Sequence, residues 1–151
     1  MITKCALFLT VALCLLTGGC NSATNKKVIQ KQNPNQDVLE VLGTEPQNPV
    51  QLSLGERLQV HIGYQLNTID KAYIWARPYK NGQKAPGYGA HHLIPVAHND
   101  ENSGFVTGWF LFRKPTEVDE VRVFMRDQVT DKIIETRSFP LCAKWTEKTP
   151  P

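Results

Sequence analysis

The hydrophobic pattern divides the chain into three textures. Residues 6 to 17, ALFLTVALCLLT, carry no charge and are almost wholly apolar. A run of that length makes roughly 18 Å of helix at about 1.5 Å per residue, short of the ~20 residues that a bilayer core needs. Residues 21 to 37, NSATNKKVIQKQNPNQD, are dominated by Asn, Gln and Lys, interrupted only by Val28 and Ile29. Such a segment buries too little apolar area to offset the entropy of ordering it, which predicts a flexible tether. From Val38 onward short β-rich runs alternate with turn residues, and no stretch sustains a 3.6-residue period.

The clearest strand is RLQVHIGYQL, residues 57–66. Leu58, Val60, Ile62, Tyr64 and Leu66 alternate with Gln59, His61, Gly63 and Gln65, so one face is apolar and the other largely polar. Further runs are VLEVL (38–42), VQLSL (50–54), KAYIWARPY (71–79), LIPVA before the polar stretch at 98–104, FVTGWFLFR (105–113), EVRVFMRD (120–127) and KIIETRSFPL (132–141). Asn67-Thr68, Lys80-Asn81-Gly82 and Pro86-Gly87 read as turns, and residues 80–92 as one long loop. About seven or eight short strands at even spacing predict an all-β fold, a single antiparallel β-sandwich over residues 38–143 with a polar tail at 144–151. The strand count and Trp75 on the strand at 71–79 resemble immunoglobulin-like and fibronectin-III-like domains. That resemblance implies an immunoglobulin-like topology with Trp75 as the core tryptophan of the third strand. The tyrosine corner and cysteine pair of antibody domains are absent.

The N-terminus has a head with one positive charge, Met1-Ile2-Thr3-Lys4, before its apolar run, and Gly18 and Gly19 after it. This order reads as a secretory signal peptide. Leu16-Thr17-Gly18-Gly19-Cys20 resembles the lipobox of bacterial lipoproteins, although Thr17 stands where that family usually has an aliphatic residue. The resemblance implies removal of residues 1–19, a diacylglycerol on the Cys20 sulfur, further acylation of the new amine, and an N-terminal lipid anchor in a membrane. It places the domain in the bacterial cell envelope, and Asn21 in place of Asp implies the outer membrane in a Gram-negative cell. Of the four cysteines, cleavage discards Cys5 and Cys14 and lipidation uses Cys20. Cys142 then stands alone and reads as a buried structural thiol. The rival is cleavage elsewhere, with Cys20 paired to Cys142 in an oxidising compartment.

A formal net charge of +3, part of it in the Lys4 head, is too weak to argue for nucleic acid as a partner. His91, His92 and His98 lie close in sequence to Asp100 and Glu101. Adjacent histidines on a strand point to opposite faces, so His91 and His92 meet only in a loop, and HExxH and CxxC are both missing. These histidines read as a solvated polar loop, with a metal site or metal-dependent enzyme as the lesser alternative. Ser53, Ser103 and Ser138 have no GxSxG elbow, and no carboxylates pair locally, so neither catalysis nor a cofactor is expected. The most suggestive stretch is YIWARPYKNGQKAPGYGAHH, residues 73–92. If Ala72, Ile74 and Ala76 point inward, then Tyr73, Trp75, Arg77 and Tyr79 form a row on the opposite face, with Tyr88 and Trp109 as extensions. Such a row suits stacking on sugars or contact with peptides. The competing arrangement puts Trp75 and its large neighbours into the core, and the need of strong strands for bulky inward residues favours it. The expected role is a membrane-anchored, non-catalytic interaction domain whose partner is an envelope protein or glycan. The alternative is a secreted carbohydrate- or peptide-binding module using Tyr73, Trp75 and Tyr79.

Overall fold

Ten strands grow from the β-rich runs: β1 (Val38–Glu45), β2 (Val50–Ser53), β3 (Arg57–Gln65), β4 (Lys71–Lys80), β5 (Gln83–Lys84), β6 (Tyr88–Ala90), β7 (Ile94–Ala97), β8 (Ser103–Phe112), β9 (Thr116–Asp127) and β10 (Ile133–Thr146). They come from a computed structural model that describes residues 33, 35–98 and 102–147. One sheet has the order β1-β3-β8-β6 and the other β2-β10-β9-β4-β5, with β7 pairing β4 beside β5. Lettered in chain order, the first is A-B-E-D and the second A′-G-F-C, which is the immunoglobulin-like arrangement. The pairs are antiparallel except β2 with β10, where Ala143 lies opposite Val50 and Trp145 opposite Leu52 in parallel. The first strand is thus shared between sheets, β1 in one and β2 in the other. The crossover between them runs through cis peptide bonds before Pro46 and Pro49.

The alternation at 57–66 holds for the bulky residues, although Gly63 on the other face is buried as well. Leu58, Val60, Ile62 and Leu66 are fully buried, and Tyr64 packs partly buried against the same core. On β4, Ala72, Ile74, Ala76 and Pro78 are the buried positions, while Tyr73, Trp75, Arg77 and Tyr79 face away from the core. The expectation of Trp75 as core tryptophan is therefore corrected: the core tryptophan is Trp145. It lies on β10, in what reads from the sequence as the start of the polar tail, and it is fully buried. Its ring centroid is 4.9 Å from that of Phe112 and 5.8 Å from that of Phe110, and its Nε1–H donates to the Glu56 carbonyl at 2.9 Å. Burying about 150–250 Å² of such a ring contributes about 4–6 kcal/mol, provided the indole N–H finds an acceptor.

With Phe110, Phe112 and Trp145 filling the interior, β4 turns no aromatic ring inward, and two of its inward residues are alanines. A Cβ on Gly108 would lie 3.5 Å from the Ala76 Cβ, so the two sheets come close there. Two further differences from the sequence reading follow from short or distant pairings. The long loop at 80–92 contains β5 and β6, and the tail contains the end of β10. The turns behave as read: Asn81 (φ 50°) and Gly82 (φ 74°) close the β4–β5 hairpin with both residues left-handed, as a type I′ turn requires. Asp37, at the end of the expected tether, is buried. Its carboxylate accepts the Asn67 and Thr68 N–H groups at 2.7 and 2.9 Å and also the Thr68 hydroxyl, which ties the start of β1 to the β3–β4 turn.

Candidate functional site

In an antiparallel ladder, residues directly opposite each other share a face. Tyr73 lies opposite Arg126, Trp75 opposite Phe124, Arg77 opposite Arg122 and Tyr79 opposite Glu120. One strand further, Phe124 lies opposite Thr136, Arg122 opposite Ser138 and Glu120 opposite Pro140. The outer face of the β10-β9-β4 sheet is therefore a grid of aromatic rings and arginines bordered by small polar residues. Tyr73, Trp75, Arg77, Tyr79, Arg122, Phe124 and Arg126 are all half-buried there. Trp75 stacks on Phe124 with centroids 5.3 Å apart and planes 15° from parallel. Arg126 holds its guanidinium 5.5 Å from the ring centroids of both Tyr73 and Trp75 and pairs with Asp131 at 3.1 Å. Its Nε is buried against the rings with no acceptor among the described residues. Arg122 lies 4.0 Å from the Tyr79 ring and grips Glu120 with two bonds, Nε to Oε1 at 2.8 Å and Nη2 to Oε2 at 2.9 Å. That grip holds the Glu120 carboxyl below its ordinary range and raises the Arg122 guanidinium above its own.

Arg77 differs from its neighbours. It faces Arg122 across the ladder, a like-charge pairing that costs energy unless something compensates. Arg122 has Glu120; Arg77 has no carboxylate partner among the described residues. Its Nη1 donates to the adjacent Ala76 carbonyl at 2.9 Å, and its guanidinium lies 5.8 Å from the Tyr88 ring.

Tyr88 sits where the two sheets approach. β7 covers β4 from Lys71 to Ile74, and β5 covers it at Tyr79 and Lys80. Between them the chain bonds once more to β4, Ala85 N–H to the Pro78 carbonyl at 3.0 Å. It then crosses to the opposite sheet as β6, where Tyr88 lies opposite Phe112, and comes back as β7. The crossing leaves a cleft of about 470 Å³ whose walls include Arg77, Lys84, Tyr88, His91, His92 and the Pro86-Gly87 turn. The Lys84 ammonium is 5.8 Å from the Tyr88 ring, matching Arg77. The His91 Nδ1–H donates to the His92 carbonyl at 2.9 Å. Among the described residues, no acidic side chain lines this cleft.

A second cleft, of about 520 Å³, lies beside β2 and β10 and includes Cys142. It is neutralised from within. Lys144 pairs with Glu117 at 2.9 Å, and Lys80 with Glu117 and Asp119 at 3.7 Å each. Lys144 is the main reason that the Glu117 carboxyl sits below its ordinary range. Cys142 is disulfide-bonded, which corrects the expectation of a lone buried thiol. Its N–H donates to Asn48 Oδ1 at 2.7 Å.

The structure thus brings Tyr73, Trp75, Arg77 and Tyr79 together on one outward face and sets Tyr88 against Arg77 around the corner. Trp109 does not extend this surface. It lies on the outer face of the other sheet, with Arg57 4.2 Å from its ring and His91 edge-on at 6.0 Å. Nor do the three histidines converge. His98 donates its N–H to the Asp70 carbonyl at the far end of β7 from His91 and His92, and a four-residue strand spans about 13 Å. Among the described residues no group of three His, Cys, Asp or Glu side chains is placed to hold a metal ion. The partners that the sequence could not show are Phe124, Arg122 and Arg126; only the β4–β9 register reveals that they share a face with the row. Asp100, Glu101, Cys20, residues 1–19, where a signal peptide is expected, and the expected tether up to residue 32 lie outside the described residues.

No family model matches the chain, and no curated protein matches it. Among solved structures it is similar to the PapD-like domain 7 of human CEP192, at 11% identity and a TM-score of 0.44, over 85% of this chain and 98% of that one. It is also similar to a Niemann-Pick type C2 protein from the Japanese carpenter ant, at 10% identity and a TM-score of 0.37, over 74% of this chain and 89% of that one. Likenesses at this level carry no functional argument, and the assignment of the fold rests on the strand order itself.

Proposed function

We propose that this chain is an exported, non-catalytic binding domain of the bacterial cell envelope. Its binding surface is the outer face of the β10-β9-β4 sheet. One observation carries the reading: Tyr73, Trp75 and Tyr79, the aromatic residues of β4, are spent on the outside of the molecule, while Ala72, Ile74, Ala76 and Pro78 are the buried side chains of the same strand. A half-exposed Trp–Phe stack flanked by arginines offers flat apolar area with polar tips, which suits the rings of a saccharide or a peptide's side chains. A panel of bacterial envelope glycans and peptides, probed with the purified domain and with Trp75→Ala and Tyr79→Ala variants, tests it. Binding that both substitutions weaken at least tenfold supports the face. Binding that both leave intact moves the site elsewhere.

For attachment we propose the lipid anchor on Cys20, supported by Leu16 to Cys20 and the polar segment after it. A second reading is favoured by the Cys142 disulfide. The full-length chain holds three other cysteines, Cys5, Cys14 and Cys20. A cut before Cys20 leaves only that one to complete the bridge. One sulfur cannot carry both a thioether to glycerol and a disulfide, so a Cys20–Cys142 bridge means a released module rather than an anchored one.

A further inference from the structure

We propose that the cleft between β5, β6 and β7 is an oxyanion site, taking a carboxylate, sulfate or phosphate group on Arg77, Lys84 and the edge of Tyr88. The inference rests partly on the binding face above, because Arg77 belongs to both. Three features point to it. The cleft gathers a guanidinium, an ammonium and two imidazoles, with no acidic side chain in its lining among the described residues, and a recess lined by one sign of charge focuses the field on a counter-ion. Arg77 and Lys84 flank the Tyr88 ring at equal distance, each without a carboxylate partner among the described residues. Every other arginine on the same face, Arg122 and Arg126, is matched to a carboxylate. The neighbouring cleft of similar size is neutralised by its own acids. An anion on Arg77 would also relieve its repulsion with Arg122, and two oxygens of a carboxylate, sulfate or phosphate match the guanidinium fork.

Geometry narrows the bearer of the charge. An extended peptide adding to the β4 edge would need a run of free backbone, and β5 and β7 leave only about three residues of it uncovered. An amphipathic helix wants an apolar groove, and this one is cationic. A saccharide with an acidic substituent fits both parts: its rings lie on Trp75 and Tyr79, and its acid turns the corner at Arg77. A free inorganic anion shares the cleft chemistry without the face.

The test is a backbone-amide NMR titration at constant ionic strength, made up with sodium chloride. The probes are sodium sulfate, sodium phosphate, a glucuronate oligosaccharide and its neutral glucose counterpart. The expected result is saturable shifts around Arg77, Lys84 and Tyr88 with glucuronate or the inorganic anions, weakened at least tenfold by Lys84→Ala and by Arg77→Gln. Lys84 is exposed, so its truncation leaves the fold in place even if Arg77→Gln does not. Shifts from glucuronate that spread to Trp75 assign the acid to a saccharide. Shifts from inorganic anions alone keep the oxyanion site and remove the binding face. Overturning results are an absence of saturable shifts from any anion, or shifts that survive both substitutions. Neutral oligosaccharide bound on Trp75 as tightly as the acidic one keeps the face and removes the oxyanion site.

Discussion

Three tryptophans occupy three environments, and their differences can be measured one residue at a time. Trp145 is enclosed by Phe110 and Phe112 with its N–H satisfied by the Glu56 carbonyl. Trp145→Ala leaves a large cavity and an unpaired carbonyl, so it should cost about 3–5 kcal/mol in urea unfolding. Trp75→Ala loses one stacked pair and one arginine contact, each worth about 0.5–1.5 kcal/mol, and should cost about 1–3 kcal/mol. Iodide quenching separates the same residues without mutating the core. The native domain should show a shielded component from Trp145 and a quenchable one from Trp75 and Trp109. Trp75→Phe should remove part of the quenchable component. A Trp75 signal that iodide does not reach would return the row to the interior and remove the proposed face.

Element by element, what the sequence revealed depended on whether pattern and packing asked for the same thing. At β3 they agreed: bulky apolar residues alternate with polar ones, and all the bulky ones point in. At β4 they conflicted. Its alternation was plain, but which face was inner could not be settled from that strand alone. The answer depends on the volume supplied by Phe110, Phe112 and Trp145, which lie 30 or more residues downstream. β10 hid its end for a related reason. Lys144 and Thr146 surround Trp145, and the partner that buries this stretch, β2, lies at residues 50–53 in a parallel pairing that local spacing cannot reveal. The β9–β10 turn yields a prediction of its own. Asp127 is buried and accepts the Thr130 hydroxyl at 2.6 Å and the Val129 N–H at 2.9 Å. These bonds, Thr130 first, hold its carboxyl below the ordinary value of 3.8. The unfolded chain therefore takes up the proton at higher pH than the folded one. The contribution is complete above about pH 4 and is lost as pH falls through the lower folded value. Urea midpoints measured from pH 7 downward should fall below about pH 4. Asp127→Asn should lower the midpoint at pH 7 and flatten that acid limb. A limb equally steep in the variant would assign the acid sensitivity to other groups, Glu117 and Glu120 first.

For the whole molecule, the two modes of attachment constrain the N-terminal cysteine differently. Gln36 donates to Glu135 at 3.4 Å and Asp37 holds the turn at Asn67 and Thr68, so the described chain enters where β4 begins. β4 then runs about 20 Å from Lys71 to Arg77 at about 3.3 Å per residue. A lipid on Cys20 would be joined to the domain at this entry end, through the segment before Asn33. Cys142 lies toward the other end, next to the Val118–Ala143 pair. The segment between Cys20 and Asn33 spans at most about 45 Å when extended, enough to run back along the sandwich and reach it. A Cys20–Cys142 bridge would therefore lay that segment beside β10 and abolish the tether. Mass spectrometry of protein extracted from membranes, digested without reduction and set beside a Cys20→Ala control, decides between them. The anchored reading expects an N-terminal peptide that begins at Cys20 and carries acyl mass, with the control released from the membrane. A disulfide-linked peptide containing both Cys20 and Cys142 would instead show that the domain is secreted. Its binding face would then have to capture ligands with no membrane holding it near them, and affinity for a surface-bound glycan would matter more than orientation.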